Sequence, residues 1–358
     1  MRILCPIRSV FVLFSLLTLS FAAFGQNPTQ DEPRPTVTPT PRTTPTPRRS
    51  ARQTQPQPAV TTPGAPDYEK SFQTAINGLR FREIGPATMG GRIDDIEVAP
   101  NDSRLIYVAT AAGGILKSTN GGTSWTVIFD KEAVSSIGDI AISPSSPAII
   151  WAGSGEANNR QSSSWGNGVF KSLDAGKTWK NIGLKDTHHI GRVVVHPTNP
   201  DIVYVAALGD LWGPNPDRGV FMSTDGGATW SKTLYLDDDT GVSDIAIDSQ
   251  SPNVLYAAAY TRRRTVFGYN GGGPKGGIYR SLDSGKTWNK LAGGLPSTGE
   301  VGRCAVEVYR QDSNIVYALI EHMTQGGVYR SEDKGATWVR MRCGICVDDH
   351  SVNSCSPG

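Results

Sequence analysis

Five segments of this chain fit one pattern, Ser-x-(Asp/Asn)-x-Gly-x-(Thr/Ser)-Trp: Ser118 to Trp125, Ser172 to Trp179, Ser223 to Trp230, Ser281 to Trp288 and Ser331 to Trp338. They start 54, 51, 58 and 50 residues apart. A repeat of that period constrains the fold strongly, because each unit must bury its apolar faces on its neighbours.

Upstream of each box the pattern also recurs. In the first unit, short apolar runs lie at 95–99, 105–109, 114–118 and 124–129, separated by turn residues. Later units repeat it, with runs beginning at Asp139 and Ile149, Arg192 and Ile202, and Asp244 and Val254. Four strands per unit of about 50 residues is the make-up of a propeller blade, so the expected fold is an all-β propeller of five blades. The 40 Gly and 24 Pro suit short strands and turns better than helical bundles. The blades are placed at about 92–131, 138–183, 190–236, 242–293 and 301–341.

Each box has a mechanical reading. The chain must reverse between third and fourth strands, and Asn120, Asp174, Asp225, Asp283 and Asp333 can each accept N–H groups of their own turn. The following Gly takes positive φ. Trp125, Trp179, Trp230, Trp288 and Trp338 then start the outer strand and anchor it on the sheet. The turn accounts for these carboxylates without a carbohydrate or Ca²⁺ ligand role.

The N-terminus reads as an export signal over 1–25: Arg2 and Arg8, an apolar run from Val10 to Phe24, and small residues before Gln26. That run is shorter than a membrane span. The expected product is secreted or periplasmic, without stable membrane insertion. Residues 26–67 are rich in Pro, Thr, Arg and Gln and read as a disordered tether; a wall-binding arm through five Arg is the alternative. Each of these two stretches carries +2, which leaves 68–358 at −2. That balance argues against a nucleic-acid partner.

The repeat stops after Met341. The tail 342–358 carries Cys343, Cys346 and Cys355, which read as an unstructured or disulfide-closed segment rather than a metal site. The run 81–85 looks like the outer strand that closes a propeller ring. The fifth unit already has its own outer strand, so the ring is expected to be incomplete. The chain is read as a truncated or frame-shifted form of a longer protein, able to self-associate through an open edge.

The boxes resemble the BNR or Asp-box repeats of sialidases, xyloglucanases and sortilin-type propellers. With Phe81 to Pro86, Gly90 to Ile93, Ser154 to Glu156, Trp165 to Gly168, Ala207 to Gly209 and Gly271 to Gly273, the likeness extends to secreted bacterial proteins labelled sortilin N-terminal-like or glycosyl-hydrolase-like. It covers about 81–341 and implies the fold. It leaves activity open, since such propellers serve hydrolysis, ligand capture and assembly.

Two groups of residues are candidates for function. Aligning the units on the residue twelve before the second-strand aromatic places Asp95, Asp139, Arg192 and Asp244 at the mouth of the central channel. Arg303 joins with a two-residue extension, and Arg92 is included. Mutual salt bridging is the structural alternative for this ring. The second group lies in the second-to-third strand loops, which have three residues in blade one but run from 156 to 167, 210 to 218 and 261 to 275 in the next three. They carry Glu156, Asn158, Arg160, Trp165, Asp210, Trp212, Arg218, Arg262 and Tyr269, with Asn159, Arg263 and Arg264 beside them. Aromatic and charged side chains on long loops of one face read as a ligand surface, with loop-on-loop packing as the alternative. His188 and His189, and the run 237–239, are read as loop packing and an acidic turn rather than a general base or a Ca²⁺ site.

Three functions follow. The main reading is a binding module that captures a glycan or extended peptide on the face opposite the boxes, with no cofactor or metal. The second is a glycoside hydrolase. The xyloglucanase resemblance implies a base Asp in Thr-Asp-x-Gly-Gly, where this chain has Thr110-Ala111-Ala112-Gly113-Gly114, and an acid in a second propeller. The sialidase resemblance implies three clamping Arg, for which Arg92, Arg192 and Arg303 are available, and a Tyr nucleophile that has no assignable counterpart. The third is a scaffold.

Overall fold

The computed structural model describes residues 92–160 and 163–341, together with positions 72, 74 and 78, which are helical. The signal stretch, the tether, the segment 81–85 and the cysteine-bearing tail lie outside the described residues. The repeats form five antiparallel sheets, each adding its strands in chain order.

The first blade is β1 (Ile93–Val98), β2 (Ile106–Thr110), β3 (Gly114–Ser118) and β4 (Thr126–Val127). The second is β5 (Ile137–Ile142), β6 (Ile150–Ser154), β7 (Val169–Ser172) and β8 (Lys180–Asn181). The third is β9 (Ile190–Val195), β10 (Val203–Ala207), β11 (Gly219–Ser223) and β12 (Ser231–Leu234). The fourth is β13 (Thr240–Ile247), β14 (Leu255–Thr265), β15 (Gly268–Gly271), β16 (Gly277–Ser281) and β17 (Asn289–Lys290). The fifth is β18 (Val301–Val308), β19 (Val316–His322), β20 (Gly327–Ser331) and β21 (Val339–Arg340).

Two expectations change here. The outer strands are shorter than the apolar runs suggest, only two residues long in every blade but the third. The stretch 261–275 is in large part a hairpin: β14 runs on past Thr261 and pairs with β15, Arg262 opposite Gly271 and Thr265 opposite Gly268. Its turn lifts Val266 and Phe267 into solvent.

Middle strands such as β10, VYVAA, read as unbroken apolar runs because both faces are covered: every residue of β10 is buried. One core joins blades one and two through Tyr107, Phe129, Ile140 and Phe170. Equivalent cores join two to three, three to four and four to five. The stability of the fold therefore sits between blades rather than within them.

The boxes make these joints. Within a box, Ser172 Oγ donates to Asp174 Oδ1 at 2.8 Å, Thr178 N donates to the same oxygen at 2.8 Å, and Gly176 N donates to Ser172 Oγ at 2.8 Å. Hydrogen bonds from Thr178 hold the Asp174 carboxyl down at about 2. The residue between Asp and Gly is also left-handed, Ala175 at φ 60 and Ser284 at φ 63. That turn points its carbonyl at the preceding blade. Tyr107, Tyr204 and Tyr256 donate their hydroxyls to the carbonyls of Ala175, Ser284 and Lys334, at 3.2, 3.1 and 2.9 Å. In return Trp179 and Trp230 donate Nε1 to Ile128 and Ile182 carbonyls of the blade before, both at 2.9 Å. Trp179 and Trp230 thus clasp the neighbouring blade, whereas Trp288 and Trp338 donate to the Gly285 and Gly335 carbonyls of their own boxes, at 3.0 and 3.1 Å.

The innermost strands pack in the series β1, β5, β9, β13, β18, and among the described residues β18 and β1 make no comparable contact.

Candidate functional site

Each innermost strand carries a bulge near its start: position 94, 138, 191 or 243 in blades one to four, and 302–303 in blade five. A bulge re-aims the side chains around it. Here the bulged residues Asp94, Gly138, Gly191, Ser243 and Arg303 converge on one cavity of about 200 Å³, lined also by Asp139, Asn158, Arg192 and Asp244. Glycine is required where blades touch: a Cβ on Gly138 would lie 2.1 Å from the Ile190 carbonyl oxygen, and one on Gly191 would lie 2.4 Å from that of Ser243.

The residues after the bulge act as locks. Asp95 Oδ2 accepts Ile140 N at 3.3 Å, Asp139 Oδ2 accepts Val193 N at 2.7 Å, and Asp244 Oδ2 accepts Val306 N at 2.9 Å, each from the next blade. In blade three the position is Arg192. Its guanidinium lies 3.6 Å from Asp139 and 3.7 Å from Asp244. The ring of alternating charge is thus largely spent on blade-to-blade bridging. In blade five strand register gives the position to Ala305, while Arg303 lines the cavity from the bulge.

Asp94 is the residue that sequence reasoning missed. The signal was present, since aligned units read Ile-Asp-Asp-Ile, Ile-Gly-Asp-Ile, Ile-Gly-Arg-Val and Val-Ser-Asp-Ile, and only blade one has a carboxylate at the bulge. Asn158 Nδ2 donates to Asp94 Oδ1 at 2.7 Å, and Oδ2 has no hydrogen-bond partner. Burial, then the charge of Glu156, pushes this carboxyl up to about 6, against Arg92 and Arg303. Because the folded protein then binds this proton more tightly than the unfolded chain, stability falls as pH rises from about 4 to about 6. Asp94→Asn is expected to reduce that slope in urea titrations run across this window, the remainder coming from other buried carboxyls such as Glu97 and Asp139.

Several loop residues expected to face a ligand do not. Glu156 is fully buried and binds the Arg92 guanidinium, with Nε 2.9 Å from Oε1. Arg92 and Arg192 are therefore already paired, which leaves Arg303 alone of the three arginines considered for a carboxylate clamp. Arg218 is fully buried and donates to the carbonyls of Asp238, Leu208, Asp210 and Gly213. It ties down the β10–β11 loop from beneath. Arg262, also fully buried, reaches across to the Ala157 carbonyl at 3.0 Å and joins the loops of blades two and four. Arg218 and Arg262 pack loop on loop, because a long loop needs internal partners for its carbonyls, whereas Glu156 is taken up by Arg92 at the start of blade one.

The remaining candidates stay accessible. Trp165 is 54% exposed and Trp212 44%, with Tyr269 and Arg160 also reachable from solvent. Trp165 stands edge-on to His188 at 5.0 Å, and Asp210 Oδ1 fixes the Trp212 backbone at 2.9 Å. Tyr269 is held by the Tyr260 hydroxyl at 2.5 Å and lies under Arg264. His189 is fully buried, and desolvation together with nearby Arg262 keeps its imidazole neutral. In the acidic run, Asp237 pairs with Lys275 at 2.9 Å and Asp239 with Arg263. Among the described residues no cluster of potential metal ligands is present.

Five Asp-box sheets whose innermost strands line one polar cavity define the architecture of a β-propeller. The BNR/Asp-box repeat family matches residues 221–232, the third box. The chain is 25% identical over 235 residues to the xyloglucanase of Hypocrea jecorina, covering 57% of this chain and 26% of that protein. It is 25% identical over 230 residues to the oligoxyloglucan-reducing end-specific xyloglucanase of Emericella nidulans, covering 59% and 25%. Among solved structures it is similar to an ancestral GH74 enzyme, with TM-score 0.54 and 22% identity over 70% of this chain and 33% of that one. The chain thus spans about a quarter of the length of these curated relatives. The shared feature is a BNR-type, glycosyl-hydrolase-like propeller fold.

Proposed function

We propose that this protein is an exported carbohydrate-binding propeller, which takes a xyloglucan-class glycan on the loop face and seats one residue of it in the mouth cavity. The observation that carries the reading is the cavity itself. At about 200 Å³ it is smaller than the ~300–1,000 Å³ of drug-sized sites and suits one small polar group. Its lining of Asp94, Asn158 and Arg303 offers both donors and acceptors to hydroxyl groups. Trp165 and Trp212 give the rest of the chain aromatic faces to stack on. The xyloglucanase relatives support the choice of glycan over peptide.

The test is titration with xyloglucan oligosaccharides. Trp165→Ala and Trp212→Ala should each weaken binding by about 1–3 kcal/mol with an unchanged melting temperature. Full affinity in the double variant would remove the glycan from this face.

Hydrolysis is the second reading, and Asp94 is the observation in its favour, since a carboxyl raised to about 6 beside a second carboxylate is the pattern of a general acid. Against it, the position of the expected base is Ala111, which is buried and donates its N–H to the Arg92 carbonyl. Release of reducing ends by the protein, abolished by Asp94→Asn with binding retained, would establish hydrolysis as the function.

A further inference from the structure

The loop face covers two fully buried arginines, and the fold provides for them differently. Arg218 spends its guanidinium on four backbone carbonyls, those of Asp238, Leu208, Asp210 and Gly213. Arg262 has one, the Ala157 carbonyl at 3.0 Å from Nη1, and its Nε and Nη2 have no hydrogen-bond partner among the described residues. The two arginines that follow it in the chain are only half-buried and have partners of their own: Arg263 pairs with Asp239, and Arg264 lies over the Tyr269 ring at 4.9 Å.

Burial lowers the Arg262 guanidinium only to about 10, so it keeps its charge at neutral pH. Its strongest electrostatic neighbours are Tyr269, Arg218, Tyr260 and Arg303, and no carboxylate is among them. His189 lies close enough for Arg262 to act on its imidazole, is fully buried, and has neither ring nitrogen hydrogen-bonded. A buried charge is costly unless a counter-charge and hydrogen bonds accompany it. A neutral acceptor would satisfy the N–H groups and leave the charge uncompensated; an anion does both.

We propose that Arg262 and His189 hold a small monovalent anion, chloride or an ion of its size, beneath the loop face. The geometry of the guanidinium supports an anion in particular. Nε and Nη2 are its side-on pair, whose N–H groups run parallel, so that one ion accepts both. His189 in its neutral form adds one further N–H. The size follows from enclosure: neither residue lines the cavity of about 200 Å³, and these nitrogens are shut off from solvent, so a carboxylate carried on a glycan does not reach them. Such an ion ties together the loop of blade two through Ala157, the entry to blade three at His189, and β14 of blade four. The site stands whether or not the loop face takes a glycan.

The experiment is thermal melting of the full chain in sodium chloride against sodium gluconate at equal ionic strength, which removes general screening from the comparison. Chloride should raise the melting temperature by about 2 °C or more, and the rise should saturate with concentration, because the ion binds the folded protein alone. Arg262→Gln, which removes the charge and the side-on pair, should melt alike in both salts. Equal melting of the wild type in the two salts, or a chloride increment kept by Arg262→Gln, would overturn the proposal. Should that variant fail to fold, diffraction from wild-type crystals soaked in bromide decides. An anomalous bromide peak at hydrogen-bonding distance from Arg262 Nε and Nη2 supports the site, and a water or packed protein atoms at that position overturns it.

Discussion

Trp179→Ala should lower the unfolding free energy by about 3 kcal/mol, while Trp125→Ala, at the same position of the first box, should cost less than about 1 kcal/mol. The two residues are equivalent in sequence and differ only in what precedes them. Trp179 packs edge-on against Phe129 at 5.2 Å and donates to the Ile128 carbonyl, both in blade one. Trp125 is 42% exposed. Equilibrium urea unfolding of dilute protein measures both, and equal losses would show that the box Trp works inside its own hairpin.

Arg192→Met should destabilise the protein by about 1–3 kcal/mol at pH 7, the cost of leaving buried carboxylates without their counter-charge, reduced because the Arg192 side chain is itself 40% exposed. Asp139 is 3% exposed, and Arg192 bridges it to Asp244. Burial raises the Asp139 carboxyl even with the guanidinium present, and Asp244 moves the same way for the same reason. The sign of the pH effect follows. A carboxyl whose folded pKa lies above its unfolded value loses stability as pH rises through that interval, so the deficit of Arg192→Met is largest at neutral pH and shrinks toward pH 4. Melting curves across this range decide the matter, and a constant deficit would mean that Arg192 acts by packing.

Both effects arise between blades, and this marks how far the sequence could be read. Its period, the four apolar runs per unit and the turn chemistry of the boxes are local properties of the chain, and they determine an all-β propeller with five repeated sheets. The charged ring was legible for the same reason: register along one strand places Asp95, Asp139, Arg192 and Asp244 in equivalent positions. Asp94 was legible in principle from the aligned bulges.

What the residues touch across the joints was not legible. Arg218 and Arg262 look like ligand contacts on long polar loops, but the loops fold over them and use their guanidiniums to satisfy backbone carbonyls. Glu156 is spent on Arg92. Trp165 and Trp212, similar in sequence context, remain open to solvent. Sequence by itself determined the repeating sheet, because hydrogen bonding within a blade depends on near neighbours in the chain. Tertiary structure alone decided which charged side chains are buried: Glu156 and Arg262 through partners more than one blade away, and Arg218 through the way its own loop folds over it.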